Sequence, residues 1–275
     1  MSEKNASSYR VFPNNRITRS FWTLNDEMHP RYKVTFVREI DATAMDRLRS
    51  TMERETGVKP SYTALVVKAS AMVLSEFPYA NRAILGPPFF KRLVQFNNID
   101  TTVAIERDVP GAEAVVLADT IYDSISKSLV DISKELNGFV NATLETNERW
   151  RLFFTLLSRL PTCICKWIIR MPRFSPGLWV KHRGGVCFVN SPAKYGIDLV
   201  VGDMIFPFTV GFGWIKVRPL VVDGEVVARK TMPLSILFDR RIMAGAPAAK
   251  LFNRLALILE NADVELHKWS GKQSE

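Results

Sequence analysis

The stretch from Leu234 to Gly245, LSILFDRRIMAG, constrains the fold more than any other part of the sequence. Its first half is apolar and rich in Leu, Ile and Phe, which is typical of a buried β-strand, and a short polar turn follows. Residues 246–263, APAAKLFNRLALILENAD, then repeat apolar side chains at helical spacing and predict an amphipathic α-helix. A turn held between a strand and a helix is a suitable place for an active residue.

The N-terminal half predicts one strand and two helices. Residues 32–40, YKVTFVREI, alternate as a half-buried strand does. Residues 41–57 predict an amphipathic helix that ends at Gly57. Residues 62–77, YTALVVKASAMVLSEF, are apolar on most sides, so they predict a buried helix, and Ser61 precedes them as the N-cap.

The rest of the chain adds strands, a helix and a hairpin. Residues 97–120 predict two short strands around Pro110–Gly111. Residues 122–136, YDSISKSLVDISKEL, carry apolar side chains at helical spacing and predict a helix. The dipeptide Asp223–Gly224 stands between two β-rich runs, and it is a favoured turn for a two-residue hairpin.

These passages together resemble the acyltransferase core of 2-oxo-acid dehydrogenase complexes, whose fold is shared with chloramphenicol acetyltransferase. The resemblance runs from Tyr32 to Asp263 and includes GGVCFVNSPAKYGID, residues 184–198. It implies an α/β (α+β) fold, a two-layer sandwich with a mixed β-sheet and helices packed on it. It also implies a homotrimer, since the family builds each active site between neighbouring subunits, and coenzyme A or acyl-coenzyme A as a non-covalent ligand.

The resemblance also locates the catalytic positions. The family's turn reads Asp-His-Arg-x-x-Asp-Gly, and its His removes the proton from the thiol of coenzyme A or dihydrolipoamide. This chain keeps Asp239 and Arg241, but it has Arg240 in place of the His and Ala244 in place of the second Asp. A family Ser donates a hydrogen bond to the oxyanion of the tetrahedral intermediate, and Asn190 occupies its position.

These replacements argue against the ordinary His-based mechanism. A His releases its proton near neutral pH, whereas an Arg stays protonated, so Arg240 cannot serve as the base. It can instead bind a carboxylate or phosphate of a ligand, or form an ion pair that plugs the site. Asn190 can still donate through its amide, whereas Ser191 should point to the opposite face of the strand.

Length and composition favour one large domain. The 275 residues are 47% hydrophobic, without a linker-like run or an internal repeat. We expect an N-terminal arm over residues 1–31, a core over 32–267 and a polar tail over 268–275. The short arm leads us to expect a free-standing core without a lipoyl-bearing module.

Residues 148–183 form a basic amphipathic insertion that holds most of the net charge of +9. It contains one acid, Glu148, and eight Lys or Arg, so an anionic partner is expected. One hypothesis places it on an anionic membrane surface, with Trp150 and Trp167 at the interface. The alternative is that its apolar side closes the domain or a subunit contact. The residues predicted to meet an anion or lipid are Arg149, Arg151, Arg159, Lys166, Arg170 and Arg173.

Other site chemistries find little support in the sequence. Three cysteines argue against a disulfide framework and for a reducing compartment, so we expect a cytoplasmic protein, peripheral to the membrane under the membrane hypothesis. Cys163 and Cys165 lack further ligands at metal-site spacing, and no metal is expected. The histidines His29, His182 and His267 belong to no catalytic motif. The basic residues match no nucleic-acid-binding module, so no nucleic acid is expected.

Three functions therefore remain open. The first is a pseudoenzyme of the acyltransferase fold, retained for ligand binding or assembly, in which Arg240 and Asn190 contact the ligand. The second is an active coenzyme A-dependent acyltransferase with a rearranged site and an alternative base. The third is a peripheral membrane protein.

Overall fold

The apolar strand predicted before the polar turn lies inside the main β-sheet, next to its edge strand. The computed structural model describes residues 32–87, 89–108, 114–143 and 146–270, without the side chains of residues 149, 157 and 158. The predicted arm, residues 1–31, therefore lies outside the described residues. The strands are β1 (Lys33–Asp41), β2 (Arg82–Leu85), β3 (Arg92–Gln95), β4 (Thr101–Arg107), β5 (Val115–Ile121), β6 (Cys187–Asn190), β7 (Phe208–Phe212), β8 (Lys216–Val222) and β9 (Glu225–Asp239).

The main sheet is mixed, with the order β1-β9-β7-β6-β4-β5, and β8 pairs with the first half of β9. Strands β6 and β7 are parallel, as are β4 and β6, whereas the other pairs are antiparallel. Strands β2 and β3 form a separate antiparallel hairpin. Asp223 and Gly224 both adopt positive φ, at 52° and 86°, and they connect β8 to β9 as the sequence predicts.

Most helices pack against this sheet around the main apolar core, whereas the helices of the basic insertion pack in three smaller apolar clusters. Helix α2 contributes eleven buried residues and is capped by Ser61, whose hydroxyl accepts a hydrogen bond from the Ala64 N–H. The buried helix and the mixed sheet confirm the predicted fold class. The helices are α1 (Thr43–Thr56), α2 (Tyr62–Glu76), α3 (Leu129–Asn141), α4 (Glu148–Arg159), α5 (Thr162–Arg170), α6 (Pro176–Arg183), α7 (Gly245–Glu260) and α8 (Ala262–Glu265).

One helix begins later than predicted. Helix α3 starts at Leu129 rather than at Tyr122, because Ser128 caps it and accepts a hydrogen bond from the Asp131 N–H. Asp123 has a φ of 48°, which is incompatible with a helix. Ile125, which the spacing places on the helix, packs against the core from the preceding turn. The apolar spacing was therefore a correct guide to burial and a wrong guide to the helix start.

The basic insertion, residues 148–183, folds into α4, α5, a 3₁₀ turn and α6. Trp150 is buried, and its indole N–H donates to the Ala118 carbonyl at 2.9 Å, so its predicted position at a membrane interface is wrong. Its ring packs with Ile105 and Leu117 of the sheet. None of the helices in the described ranges is long and apolar enough to cross a membrane.

The core extends further toward the C-terminus than predicted. The expected polar tail begins at Lys268, but Trp269 packs against the core and its ring lies 3.5 Å from the Lys68 ammonium. Ser270 is also buried. The rest of the tail, residues 271–275, lies outside the described residues.

Candidate functional site

The polar turn after β9 is held by an ion pair between Asp239 and Arg241. Arg241 Nε and Nη2 donate to the two carboxylate oxygens of Asp239 at 3.0 and 2.5 Å, which is a bidentate arrangement. The Arg241 N–H also donates to Asp239, and its guanidinium lies 4.1 Å from the Tyr32 ring centroid. The two residues that the resemblance retains thus form the frame of the turn.

Asp239 is buried, yet it remains a carboxylate. Burial by itself would raise the pKa of Asp239, but the hydrogen bonds from Arg241 outweigh that effect and hold the pKa below its usual value. The same bonds raise the pKa of Arg241, so the pair stays charged over the physiological range.

Arg240 lies on the exposed side of this turn. Its N–H donates to the Tyr32 carbonyl at 2.9 Å, which fixes its backbone next to the start of β1. The ion pair at the turn is made by Arg241, and no hydrogen bond to the Arg240 guanidinium occurs within the part of the chain that the structure describes. The guanidinium is therefore positioned to contact a ligand or a neighbouring molecule.

Ala244 is the N-cap residue of α7 and is also exposed. Its side chain offers no oxygen to the unpaired N–H groups of the first helical turn, a role that Asp or Ser fills well. Replacing the family's Asp by Ala thus removes a carboxylate and also a helix cap.

Asn190 ends β6 and lines a narrow cavity of about 30 Å³. The cavity is large enough for a single water, and Thr209 and Ser235 line it from the neighbouring strands. The buried Thr209 hydroxyl has no hydrogen-bond partner among the residues described. An acceptor atom in this cavity would therefore meet two donors, the Asn190 amide and the Thr209 hydroxyl.

Ser191 takes no part in this cavity. Its hydroxyl donates to the Phe212 carbonyl at 2.9 Å and accepts from the Ala193 N–H at 3.2 Å. These bonds hold the turn after β6, so the hydroxyl is committed to structure.

Asn190 and Arg240 lie far apart within one chain. Asn190 pairs with Gly211 of β7, and Gly211 pairs with Ser235 of β9. Arg240 follows Ser235 by five positions along the chain. A strand rises roughly 3.3 Å per residue and neighbouring strands are about 4.8 Å apart, so the Cα atoms of Asn190 and Arg240 are separated by roughly 20 Å. One chain cannot bring both to the same substrate atom.

A larger cleft of about 470 Å³ opens beside the turn, and we call it the cationic cleft. Its volume falls within the range of small-molecule sites. Residues of the basic insertion line it together with residues of the turn and of β1. Its charged lining in the described residues is Lys33, Lys91, Arg170, Arg173, Arg241 and Asp239.

Lys33 is the most unusual group of the cationic cleft. Its ammonium donates to the Phe206 carbonyl, and its residue pairs with Asp239 across the β1–β9 ladder. Burial lowers the pKa of Lys33 to about 8, although the nearby Asp239 carboxylate opposes the shift. Sequence analysis missed Lys33, because a Lys at the start of a strand is usually exposed and only the strand register shows its surroundings.

The predicted anion-contact residues do not converge. Arg151 and Arg159 are exposed on α4, and Lys166 is half-buried on α5. Only Arg170 and Arg173 reach the cationic cleft. Arg149 lies on α4, and its side chain is outside the described residues.

The histidines and cysteines lie elsewhere. His267 is 3.3 Å from the Glu55 carboxylate, His182 is exposed on α6, and neither lines the cationic cleft or the Asn190 cavity. His29 is outside the described residues. Cys163 is exposed and Cys165 is buried. No group of three His, Cys, Asp or Glu side chains within the described ranges is arranged to hold a metal ion.

The chain matches the sequence model of the 2-oxoacid dehydrogenases acyltransferase (catalytic domain) over residues 19–149 and 208–266. Residues 150–207, which include nearly all of the basic insertion, fall in the gap between the two matched parts.

Curated proteins and solved structures agree with this match. The acetyltransferase component of the Bacillus subtilis pyruvate dehydrogenase complex is 23% identical over 243 residues, which is 86% of this chain and 47% of that protein. The chain thus spans about half the length of the curated relatives it matches. The Azotobacter vinelandii dihydrolipoamide acetyltransferase superposes with a TM-score of 0.67 at 20% identity, covering 94% of each chain. A chloramphenicol acetyltransferase gives 0.50 at 11% identity, covering 89% of this chain and 94% of that one.

We predict that replacing Lys33 by Met increases stability below pH 8. The pKa of Lys33 is about 8 in the folded chain and 10.5 for an unperturbed lysine, so the unfolded chain binds more protons between these values. The free energy of unfolding of the natural protein should therefore rise with pH across this window. Lys33→Met removes the Lys33 contribution to this slope, leaves that of Lys68, whose pKa is also lowered to about 8 by burial, and adds on the order of 2 kcal/mol at pH 7.

Urea unfolding of both proteins between pH 7 and pH 10 measures this difference. Lys250→Met serves as the control, because Lys250 is exposed on α7 and its loss should keep the natural slope. Equal slopes for Lys33→Met and the natural protein would show that Lys33 is not desolvated.

Proposed function

The chain belongs to the 2-oxoacid dehydrogenase acyltransferase (catalytic domain) family, and we propose that it binds coenzyme A or acyl-coenzyme A without catalysing the ordinary acyl transfer. The observation that carries this proposal is Arg240, an exposed cation in the turn where the resemblance places the catalytic His. The frame of the turn is intact, since Asp239 and Arg241 pair as a bidentate ion pair. The turn is thus preserved while its proton-accepting group is replaced.

The reaction requires a group that accepts a proton from a thiol. An Arg side chain stays protonated up to a pH of about 12, so it cannot act as a general base. In the Azotobacter enzyme, a serine, a histidine and an asparagine were examined for their roles in the catalytic mechanism, and its histidine and asparagine stand four positions apart. Arg240 and Ala244 have the same separation (244 − 240 = 4), which supports their assignment to these two positions.

Ligand binding survives such a change more easily than catalysis. A fixed guanidinium attracts phosphate and carboxylate groups and forms charge-assisted hydrogen bonds with them. Coenzyme A carries phosphates, and both the turn and the cationic cleft offer positive charge to an anion. No covalently attached cofactor is part of this proposal.

We predict that Arg240→Gln lowers the affinity for coenzyme A about tenfold, because one charge-assisted contact is lost. Isothermal titration with coenzyme A measures the change. Lys250→Gln removes the same charge from an exposed position on α7 and should leave the affinity as it is. Absence of binding to the natural protein, or equal affinities for Arg240→Gln and the natural protein, would contradict the proposed role of Arg240.

The second candidate function is an active acyltransferase with a rearranged site. The observation that favours it is the cavity that Asn190 and Thr209 both line, where the Thr209 hydroxyl has no partner among the described residues, since two donors can stabilise an oxyanion. Lys33, whose pKa is lowered to about 8 by burial, can replace the base only from a neighbouring copy, because within one chain it is level with Asp239 and as far from Asn190 as Arg240 is.

Release of free thiol from acetyl-coenzyme A and longer acyl-coenzyme A distinguishes the two candidates. We predict release no faster than in buffer without protein, because the ordinary base is absent. Turnover that is abolished by Asn190→Ala and unchanged by Arg240→Ala would instead establish the rearranged enzyme.

We also propose that the chain forms a homotrimer. Within one chain Asn190 and Arg240 are separated by roughly 20 Å, by the strand rise and spacing given above, so a shared site needs a second copy. The β8–β9 hairpin offers an apolar surface for such a contact. Its exposed side chains Val217, Val221 and Val226 are 64%, 67% and 72% accessible, and Val221 faces Val226 across the ladder.

We predict a trimer at micromolar concentration and a smaller species for Val221→Lys, because a charge in a desolvated contact is unfavourable. Sedimentation equilibrium measures both masses. Val264→Lys is the matched control, since Val264 is 76% exposed on α8 and lies outside the hairpin. A natural protein that sediments as a monomer would contradict the trimer.

A further inference from the structure

The β2–β3 hairpin exposes two aromatic side chains at its tip. Phe89 is 91% exposed and Phe90 is 73% exposed, and neither contributes to any of the apolar core clusters of the described residues. Large apolar side chains in such a position mark an interaction site more often than a packing role. Lys91 and Arg92 follow directly and are exposed too.

The conformation of this tip is held by the backbone. The Phe90 N–H donates to the Pro87 carbonyl at 2.9 Å, which closes a turn. Gly86 has a φ of 123°, and a Cβ there would lie 2.4 Å from the Phe90 carbonyl oxygen. Only Gly permits this close approach, so the phenyl rings are presented outward by a defined turn.

The hairpin and the basic insertion form one face of the molecule. The Gly86 N–H donates to the Arg173 carbonyl at 2.8 Å, which ties the hairpin to the insertion. Trp179 of α6 is buried and packs against Ala83 and Leu85 of β2. Lys91 from the hairpin and Arg170 from α5 both line the cationic cleft, so the cleft opens between the two elements.

Helix α5 adds a second apolar projection to this face. Trp167 is 59% exposed and Ile164 is 43% exposed, whereas Cys165 and Ile169 are buried against the rest of the insertion. Positions three apart on a helix are neighbours, so Trp167 lies next to both Ile164 and Arg170. The helix thus has one face that closes the domain and another that presents Trp beside cations.

The charged side chains that the hairpin and helix α5 contribute to this face are all cationic. The sequence has no acidic residue from Phe77 to Ile99, which includes the hairpin, or from Arg149 to Ile197, which includes the helices of the insertion after Glu148. The hairpin and α5 contribute three fully exposed cations, Lys91, Arg92 and Arg170. Such a face is complementary to an extended negative surface.

We propose that this face, with the Phe89–Phe90 tip and the Ile164–Trp167 side of α5, docks on the surface of an anionic lipid bilayer. The two apolar projections are placed on either side of the cationic cleft, where both can enter the acyl boundary while the cations remain among the headgroups. Trp167 beside Arg170 matches the preference of Trp for the membrane–water interface.

A bilayer fits these observations better than an acidic protein does. Separate aromatic projections need no preformed pockets when they enter a fluid apolar phase, whereas a protein partner would need a pocket for each. Helix α5, which carries Trp167, falls in residues 150–207, which the family's sequence model leaves unmatched, whereas the hairpin lies in the matched part.

Flotation of the full chain with vesicles tests the proposal. Vesicles of phosphatidylcholine with about a third of phosphatidylglycerol should bind the protein at low ionic strength and release it at about 0.5 M salt, because screening shortens the range of the attraction. Pure phosphatidylcholine vesicles should bind about tenfold less. Phe89→Ser/Phe90→Ser should lower the partition coefficient about tenfold or more, and Lys91→Glu/Arg92→Glu should do so at low salt.

The matched controls are Val116→Ser/Val264→Ser, two exposed apolar residues outside this face, and Lys250→Glu, an exposed charge on α7. Both should bind as the natural protein does, and far-UV circular dichroism should show all variants folded. Unchanged binding by the Phe89→Ser/Phe90→Ser variant, or no binding to anionic vesicles at low salt, overturns the proposal. A reduced sedimentation mass of that variant without vesicles also overturns it, because the tip would then be a contact between copies of the chain.

Discussion

The buried carboxylate of Asp239 is the interaction on which the candidate site depends. Asp239 is the last residue of β9, which lies between β1 and β7. Burial would by itself favour the neutral form of Asp239. The bidentate hydrogen bonds from Arg241 keep the carboxylate charged. Removing one partner of such a pair leaves an uncompensated charge, which is far more costly than removing both. The turn therefore keeps its shape only while both residues are present, and this explains how Arg240 can change chemical type while its backbone position is maintained.

The same pair also shapes the cationic cleft. Lys33 is paired with Asp239 in the strand ladder, so the carboxylate partly offsets the cost of burying the ammonium. Arg170 and Arg173 reach the cleft from the basic insertion. The cationic cleft thus has positive charge on several sides. This arrangement suits the binding of an anion, because cations on several sides of a cleft attract a phosphate or a carboxylate.

Local patterns in the sequence predicted those features that depend on neighbouring residues along the chain. Ser61 as a cap and Asp223–Gly224 as a hairpin turn are of this kind, because the geometry is determined within a few residues. Trp150 could not be placed in this way. Its spacing suits an interfacial Trp and a core Trp equally well, and only its hydrogen bond to Ala118 on β5 separates the two.

The features of the candidate site also fall into those that the sequence predicts and those that depend on distant parts of the chain. The replacement of family residues at positions 240, 244 and 190 could be found in the sequence, because it needs only a comparison of motifs. The depressed pKa of Lys33 and the solitary hydroxyl of Thr209 depend on strand register and on packing between distant segments, which periodicity does not specify. The Phe89–Phe90 tip escaped attention for a different reason. Two aromatics between strands resemble core residues in sequence, and only their exposure in the folded chain identifies them as a surface feature. A chain that keeps the family's frame in its main sheet and places some of its unmatched residues around the cationic cleft has room for further binding properties without a change of fold.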